Sequence, residues 1–133
     1  AANAARHRVA DRIEFAHGSW WDAVPSGTVF DLVVSNPPYI DPQRTEGLAA
    51  DVRAHEPPLA LFTAPGDVVS CYRAIGEGLA TGLAPGGWFV AETGLGASAP
   101  ALAWLLAQPF LQACELLPDL AGQDRFLLAQ RRA

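Results

Sequence analysis

The chain has 133 residues, half of them hydrophobic and 17% charged, which is the length of about one domain and the composition of a folded one; a disordered or low-complexity segment is excluded. The formal net charge of −5 gives no basic footprint for nucleic acid, although a few arginines can still form a local patch. Cys71 and Cys114 lie far apart without CxxC spacing, and no apolar stretch is long enough to span a bilayer, so composition predicts a soluble, cytoplasmic setting without a disulfide framework.

In chain order, alanine-rich Ala1 to Ala10 reads as the end of a helix that begins upstream. Arg12 to Ala16 alternates as a strand, and Gly18-Ser19-Trp20-Trp21 follows as a loop. Phe30 to Val34 is an apolar run that reads as a strand buried on both faces, as in a parallel sheet. Asp41 to Ala64 reads as one long irregular stretch anchored by Leu59-Ala60-Leu61-Phe62; its length suggests a wall or lid. Pro65-Gly66-Asp67 starts a helix in which Val68, Tyr72, Ile75, Leu79 and Leu83 recur at steps of three or four. Ala84 to Gly87 ends it. Trp88 to Ala91 is a buried strand running into Glu92-Thr93-Gly94. Ala97 to Ala107 is a second helix with Leu102, Leu105 and Leu106 inward, and strands at Ala113–Leu117 and Phe126–Ala129 form a hairpin. The order predicts an α/β fold, mostly parallel, with an antiparallel C-terminal hairpin.

The chemistry concentrates in Asn36-Pro37-Pro38-Tyr39-Ile40, directly after the first apolar strand. In open α/β sheets the ligand crevice lies beyond the carboxyl ends of the strands. Pro37 biases Asn36 towards extended backbone, and neither proline carries an N–H. The loop therefore offers acceptors: the Asn36 side-chain oxygen and free carbonyls such as that of Pro37. A planar –NH2 group with two donors fits it. Tyr39 adds a flat face and a hydroxyl for packing a planar group.

This loop resembles the substrate-side motif of S-adenosylmethionine-dependent methyltransferases that modify planar nitrogens. Further segments narrow the resemblance: Val52-Arg53-Ala54-His55-Glu56-Pro57-Pro58-Leu59-Ala60-Leu61, Pro85-Gly86-Gly87, Glu92-Thr93-Gly94 and Asp119-Leu120-Ala121-Gly122-Gln123-Asp124-Arg125. With Gly18-Ser19-Trp20 and Ala1-Ala2-Asn3-Ala4, they make nearly the whole chain similar to the peptide chain release factor N(5)-glutamine methyltransferases. The resemblance implies methyl transfer to the glutamine amide of the Gly-Gly-Gln motif of release factors, in a partial Rossmann-like fold. It implies Asn36, Pro37 and Tyr39 as catalytic residues, Asn36, Pro37, Pro38 and Tyr39 as substrate-binding residues, and Trp20 and Asn36 beside the cofactor, S-adenosyl-L-methionine. Glu56-Pro57 is expected to brace the acceptor loop, Glu92 to line the pocket, and Asp124 with Arg125 to form a local ion pair or turn. No metal is expected: His7, His17 and His55 lack ligand spacing.

The sequence also departs from the family. No Gly-rich cofactor loop is present, Gly94-Leu95-Gly96 reads as a tight turn, and Ala97 stands where the family tends to have Gln. Residues 1–133 are thus expected to be the C-terminal, substrate-side part of the catalytic domain, with the cofactor half and an N-terminal helical domain outside it. The competing readings are an N(6)-adenine-type nucleic-acid methyltransferase, a methyltransferase for a ribosomal-protein glutamine, and a truncated, non-catalytic paralogue. The expected partner is a release factor, with no direct nucleic acid and no membrane. An unpaired edge on the Phe30–Val34 strand predicts dimerisation or strand swapping.

Overall fold

The computed structural model describes residues 1–133. Helix α1 (Ala2–Arg6) opens the chain and ends in a basic last turn. Residues 13–17 then run as coil with Ile13 and Phe15 largely exposed; the expected strand there does not form, because no other strand lies alongside to pair its backbone. A 3-10 turn at Trp20–Ala23 leads to strand β1 (Phe30–Ser35).

The expected long loop after β1 contains two short helices, α2 (Ala50–His55) and α3 (Pro58–Leu61). Pro58 at the start of α3 suits a first helical turn, where a missing N–H costs nothing. Of the expected anchor Leu59-Ala60-Leu61-Phe62, Leu61 and Phe62 are half-buried, whereas Ala60 is exposed and Leu59 is 89% exposed.

Helix α4 (Ser70–Gly82) starts three residues after the expected Pro65-Gly66-Asp67 and buries Tyr72, Ile75 and Leu79 of the expected stripe, whereas Val68 precedes the helix and Leu83 opens the next strand. Strand β2 (Leu83–Glu92) follows without an intervening loop, so Ala84 to Gly87 lies within the strand and does not merely end the helix. It forms a bulge: β1 advances from Phe30 to Leu32 while β2 advances from Leu83 to Trp88, with Gly86 at φ 77°. Helix α5 (Ser98–Leu106) buries Ala101 and Leu105 and half-buries Leu102, whereas Leu106 is exposed, because a nine-residue helix seats only one stripe on the sheet. Strands β3 (Leu111–Pro118) and β4 (Asp124–Arg131) complete the chain as the expected hairpin.

The sheet order is β1-β2-β4-β3, with β1 parallel to β2 and the other pairings antiparallel. Helices α4 and α5 pack on one face, against Phe89, Ala91, Leu127 and Ala129, all fully buried. Alternation sends Leu32, Val34, Trp88, Val90, Leu117, Phe126 and Leu128 to the other face. No helix covers that face, and Val34 is 68% exposed. The expectation that β1 is buried on both faces is therefore corrected: β1 is an edge strand with one neighbouring strand, and Phe30, Leu32 and Val34 are exposed.

Candidate functional site

Asn36 follows the last residue of β1 and sits at the carboxyl end of the parallel pair, where the strand-end rule places a crevice. Asn36 is exposed, Pro37 is buried, and Pro38 and Tyr39 are half-buried. The prolines fix the turn, and the Asn36 side chain makes no hydrogen bond within the chain. Its oxygen and amide are therefore free for a ligand. Asn36 lines a cavity of about 220 Å³ together with Val34, Ser35, Val90, Glu92 and Phe126.

The downstream end of the loop is pinned by backbone. Ile40 donates to the Leu61 carbonyl at 3.2 Å, and its own carbonyl accepts from Thr63 N–H at 2.9 Å. Asp41 caps the next turn: Oδ1 accepts from the N–H groups of Gln43 (2.9 Å) and Gly66 (3.2 Å). These backbone donors hold the Asp41 carboxyl below the usual carboxylate range. Glu56, expected to brace the loop, is exposed and its side chain takes no part; the bracing falls to the backbone of Leu61 and Thr63.

Tyr39 is held from β2. Its hydroxyl donates to Glu92 Oε1 at 3.3 Å, and its ring lies directly on the Gly94 backbone. Burial, then the Glu92 charge, raises the phenol above its ordinary range, against the opposing pull of Arg125. Behind it the buried Tyr72 hydroxyl donates to the Glu92 carbonyl at 3.0 Å, and burial pushes that phenol up to about 12. Thr93 N–H donates to the Arg125 carbonyl at 2.8 Å, and Arg125 Nη1 donates back to the Thr93 carbonyl at 3.3 Å. Arg125 pairs with Asp119 at 3.5 Å, not with its neighbour Asp124. The Thr93 hydroxyl is fully buried and has no partner.

Trp20 lies elsewhere. It lines an open cavity of about 300 Å³ around the outer edge of β1, with Trp21, Phe30, Leu32 and Val34 among its walls. Trp20 is 42% exposed and adopts φ 48°, a left-handed conformation costly for a bulky residue. Trp21 beside it is structural: Nε1 donates to the Ile75 carbonyl at 2.6 Å, and the indole fits over Gly78 and Gly82 of α4. The two cavities meet at Val34 and Ser35, with Asn36 on one side and Trp20 on the other; Pro37 and Pro38 line neither, and Tyr39 lines a third cavity with Ile40, Asp41 and Arg44. Sequence reasoning missed the seat that Gly94 gives Tyr39 and the bond from Tyr72; the only signal for either was the Glu-Thr-Gly run at the end of β2.

A mixed four-stranded sheet with helices on one face, one parallel pair and an antiparallel hairpin is the architecture of a partial methyltransferase fold. No protein-family model matches the chain. It is 42% identical over 134 residues to the release factor glutamine methyltransferase of Neisseria gonorrhoeae, covering 98% of this chain and 48% of that protein. Against the release factor glutamine methyltransferase of Cereibacter sphaeroides it is 42% identical over 130 residues, covering 98% and 45%. A bifunctional methyltransferase of Rickettsia felis is 39% identical over 92 residues. The chain is thus homologous to the C-terminal part of release factor glutamine methyltransferases, and it spans about half the length of the curated relatives it matches.

Proposed function

We propose that this chain carries the acceptor side of an S-adenosylmethionine-dependent protein-glutamine N-methyltransferase, acting on the side-chain amide of the Gly-Gly-Gln glutamine in peptide chain release factors. The observation that carries the reading is the position of Asn36-Pro37-Pro38-Tyr39 at the carboxyl end of β1, with Asn36 lining a cavity and its side chain unbonded within the chain. An amide nitrogen is a poor nucleophile because its lone pair is delocalised. The Asn36 oxygen and the Pro37 carbonyl accept from its two N–H groups, which fixes the nitrogen and raises its electron density. Tyr39 packs against the amide plane. Positioning and preorganised dipoles then do the catalytic work.

When bound, S-adenosyl-L-methionine supplies the electrophilic methyl group of its sulfonium. The residues here fit it in part. Trp20 and the apolar cavity at the β1 edge suit one face of a planar ring, and Asn36 stands across Val34 and Ser35 from that cavity. That cavity is walled by eight hydrophobic residues and Ser35, so it offers no charged partner for the donor's polar ends. In a protein of the relatives' length, we place the remainder of the domain on the free β1 edge and the uncovered sheet face, and the reaction in the cytoplasm.

Transfer of a labelled methyl group tests the reading. Label on release factor, lost when the Gly-Gly-Gln glutamine is replaced, supports it. Label on adenine-containing DNA, or on a ribosomal-protein glutamine in preference to release factor, overturns the substrate assignment. Absence of S-adenosylmethionine binding by isothermal titration, together with no transfer, favours a non-catalytic chain.

A further inference from the structure

We propose that Glu92 is the positioning residue of the acceptor loop: through its hydrogen bond to Tyr39 it holds the Asn36 side chain facing the cavity that both residues line. The inference rests on the reading of Asn36 as the amide acceptor and adds the part that keeps it aimed.

Three observations carry it. Glu92 is fixed before it touches the loop. It pairs with Phe126 in the β2–β4 ladder, and its carbonyl accepts the Tyr72 hydroxyl at 3.0 Å. The side chain then reaches across 53 residues of sequence to accept the Tyr39 hydroxyl at 3.3 Å. The next residue but one, Gly94, receives the Tyr39 ring. The Glu-Thr-Gly end of β2 thus meets Tyr39 at both hydroxyl and ring face.

The loop has few other ties at this point. Pro37 and Pro38 have no N–H to donate, and the Asn36 side chain has no partner within the chain. Downstream support begins only at Ile40, with its backbone bonds to Leu61 and Thr63. Between Ser35 and Ile40, the Tyr39–Glu92 bond is the side-chain hydrogen bond that fixes the loop. Arg125, tied to Asp119 and to the Thr93 carbonyl, places a positive charge near the Tyr39 hydroxyl.

Native-state hydrogen exchange of the Ile40 amide, and the side-chain NH2 resonances of Asn36, read the proposal without substrate or cofactor. In Glu92→Ala, Ile40 exchange is expected to rise about tenfold, while amides of Leu32 to Val34 and of α4 stay within about twofold. The two Asn36 resonances are expected to converge on the positions of a freely rotating side chain. Glu92→Gln keeps an acceptor for Tyr39 and is expected to stay within about twofold of the parent. Tyr39→Phe should reproduce the loosening, and adding Glu92→Ala to it should change nothing more. Unchanged Ile40 exchange in Glu92→Ala overturns the proposal, as does a uniform rise across β1 and β2. Glu92→Gln loosening the loop as much as Glu92→Ala also overturns it. If Glu92→Ala does not fold, Tyr39→Phe carries the same test alone. A failure of methyl transfer with the exchange pattern intact would sink the functional reading and leave this one standing.

Discussion

Gly94→Ala tests how tightly the acceptor loop is seated. A methyl group there would lie 2.5 Å from Tyr39 Cδ2 and 3.2 Å from Cζ, and closer still to Cε2. Carbon atoms rest at about 3.5–4.0 Å, so the ring must recede by roughly 1 Å. Recession stretches the hydroxyl bond to Glu92, already at 3.3 Å. Overpacking of this kind costs about 1–3 kcal/mol. The backbone itself is no obstacle, since Gly94 is not among the glycines at positive φ. Replacing glycine by alanine at such a site otherwise stabilises by roughly 0.4–1 kcal/mol through the unfolded chain. The net expectation is a loss of about 1–2 kcal/mol, read as a lower midpoint in urea with unchanged slope. In a Tyr39→Ala background the clash is gone, and Gly94→Ala should turn neutral or mildly stabilising. The sign change is the diagnostic. An equal loss in both backgrounds would mean that Gly94 is crowded by something other than Tyr39, and the described seat would be wrong.

On the proposed function, Asn36→Ala should slow methyl transfer by roughly 3 kcal/mol in the barrier, about a hundredfold or more, while leaving thermal stability within about 0.5 kcal/mol because Asn36 is exposed and unbonded. Leu79→Ala, at a fully buried position of α4, should cost about 2–5 kcal/mol in denaturant titration. For Tyr72, a folded-state value raised to about 12 from 10.0 means that the folded chain holds its proton longer than the unfolded one. Stability on this account is full below pH 10 and falls as pH climbs towards 12; Tyr72→Phe should flatten that alkaline limb. Asp41 runs the other way: with its carboxyl held below 3.8, its stabilisation is present above that pH and is lost as pH falls through the folded value, so Asp41→Asn should flatten the acid limb.

Where a segment's partners are close in sequence or its pattern is periodic, the fold was legible. The three-and-four spacing of Tyr72, Ile75 and Leu79 marked α4, and the turn residues between Leu117 and Phe126 marked the hairpin. Arg12 to Ala16 misled because alternation states a preference for strand but not the presence of a neighbour to bond. The apolar content of β1 was read as burial on two faces; within this chain only one face is covered. The same limit governs the site. Asn36 and Tyr39 stood out through local chemistry, whereas the Tyr39 bond to Glu92, the Tyr72 bond to its carbonyl and the Gly94 seat join residues 20 to 55 positions apart. No local pattern encodes such distances. Arg125 shows the same on a smaller scale, since it reaches back over a turn to Asp119 and passes over adjacent Asp124.

The place of β1 at the end of the sheet bears on the order in which the chain opens. Strands β2, β3 and β4 and both long helices come from one continuous stretch, 70–131, and share one core. Strand β1 joins that body along a single edge, and its pairing of Leu32 with Trp88 closes a loop of more than fifty residues. Long closures are slow to form; β3 also has one neighbour but is joined to it by a short hairpin, so β1 is the cheaper strand to release. The acceptor loop therefore belongs to the unit that docks last in folding and lets go first near denaturation. Protease cleavage between Val29 and Pro65 should precede loss of the α4–β4 body, so the Asn36 loop is lost while most of the fold still stands.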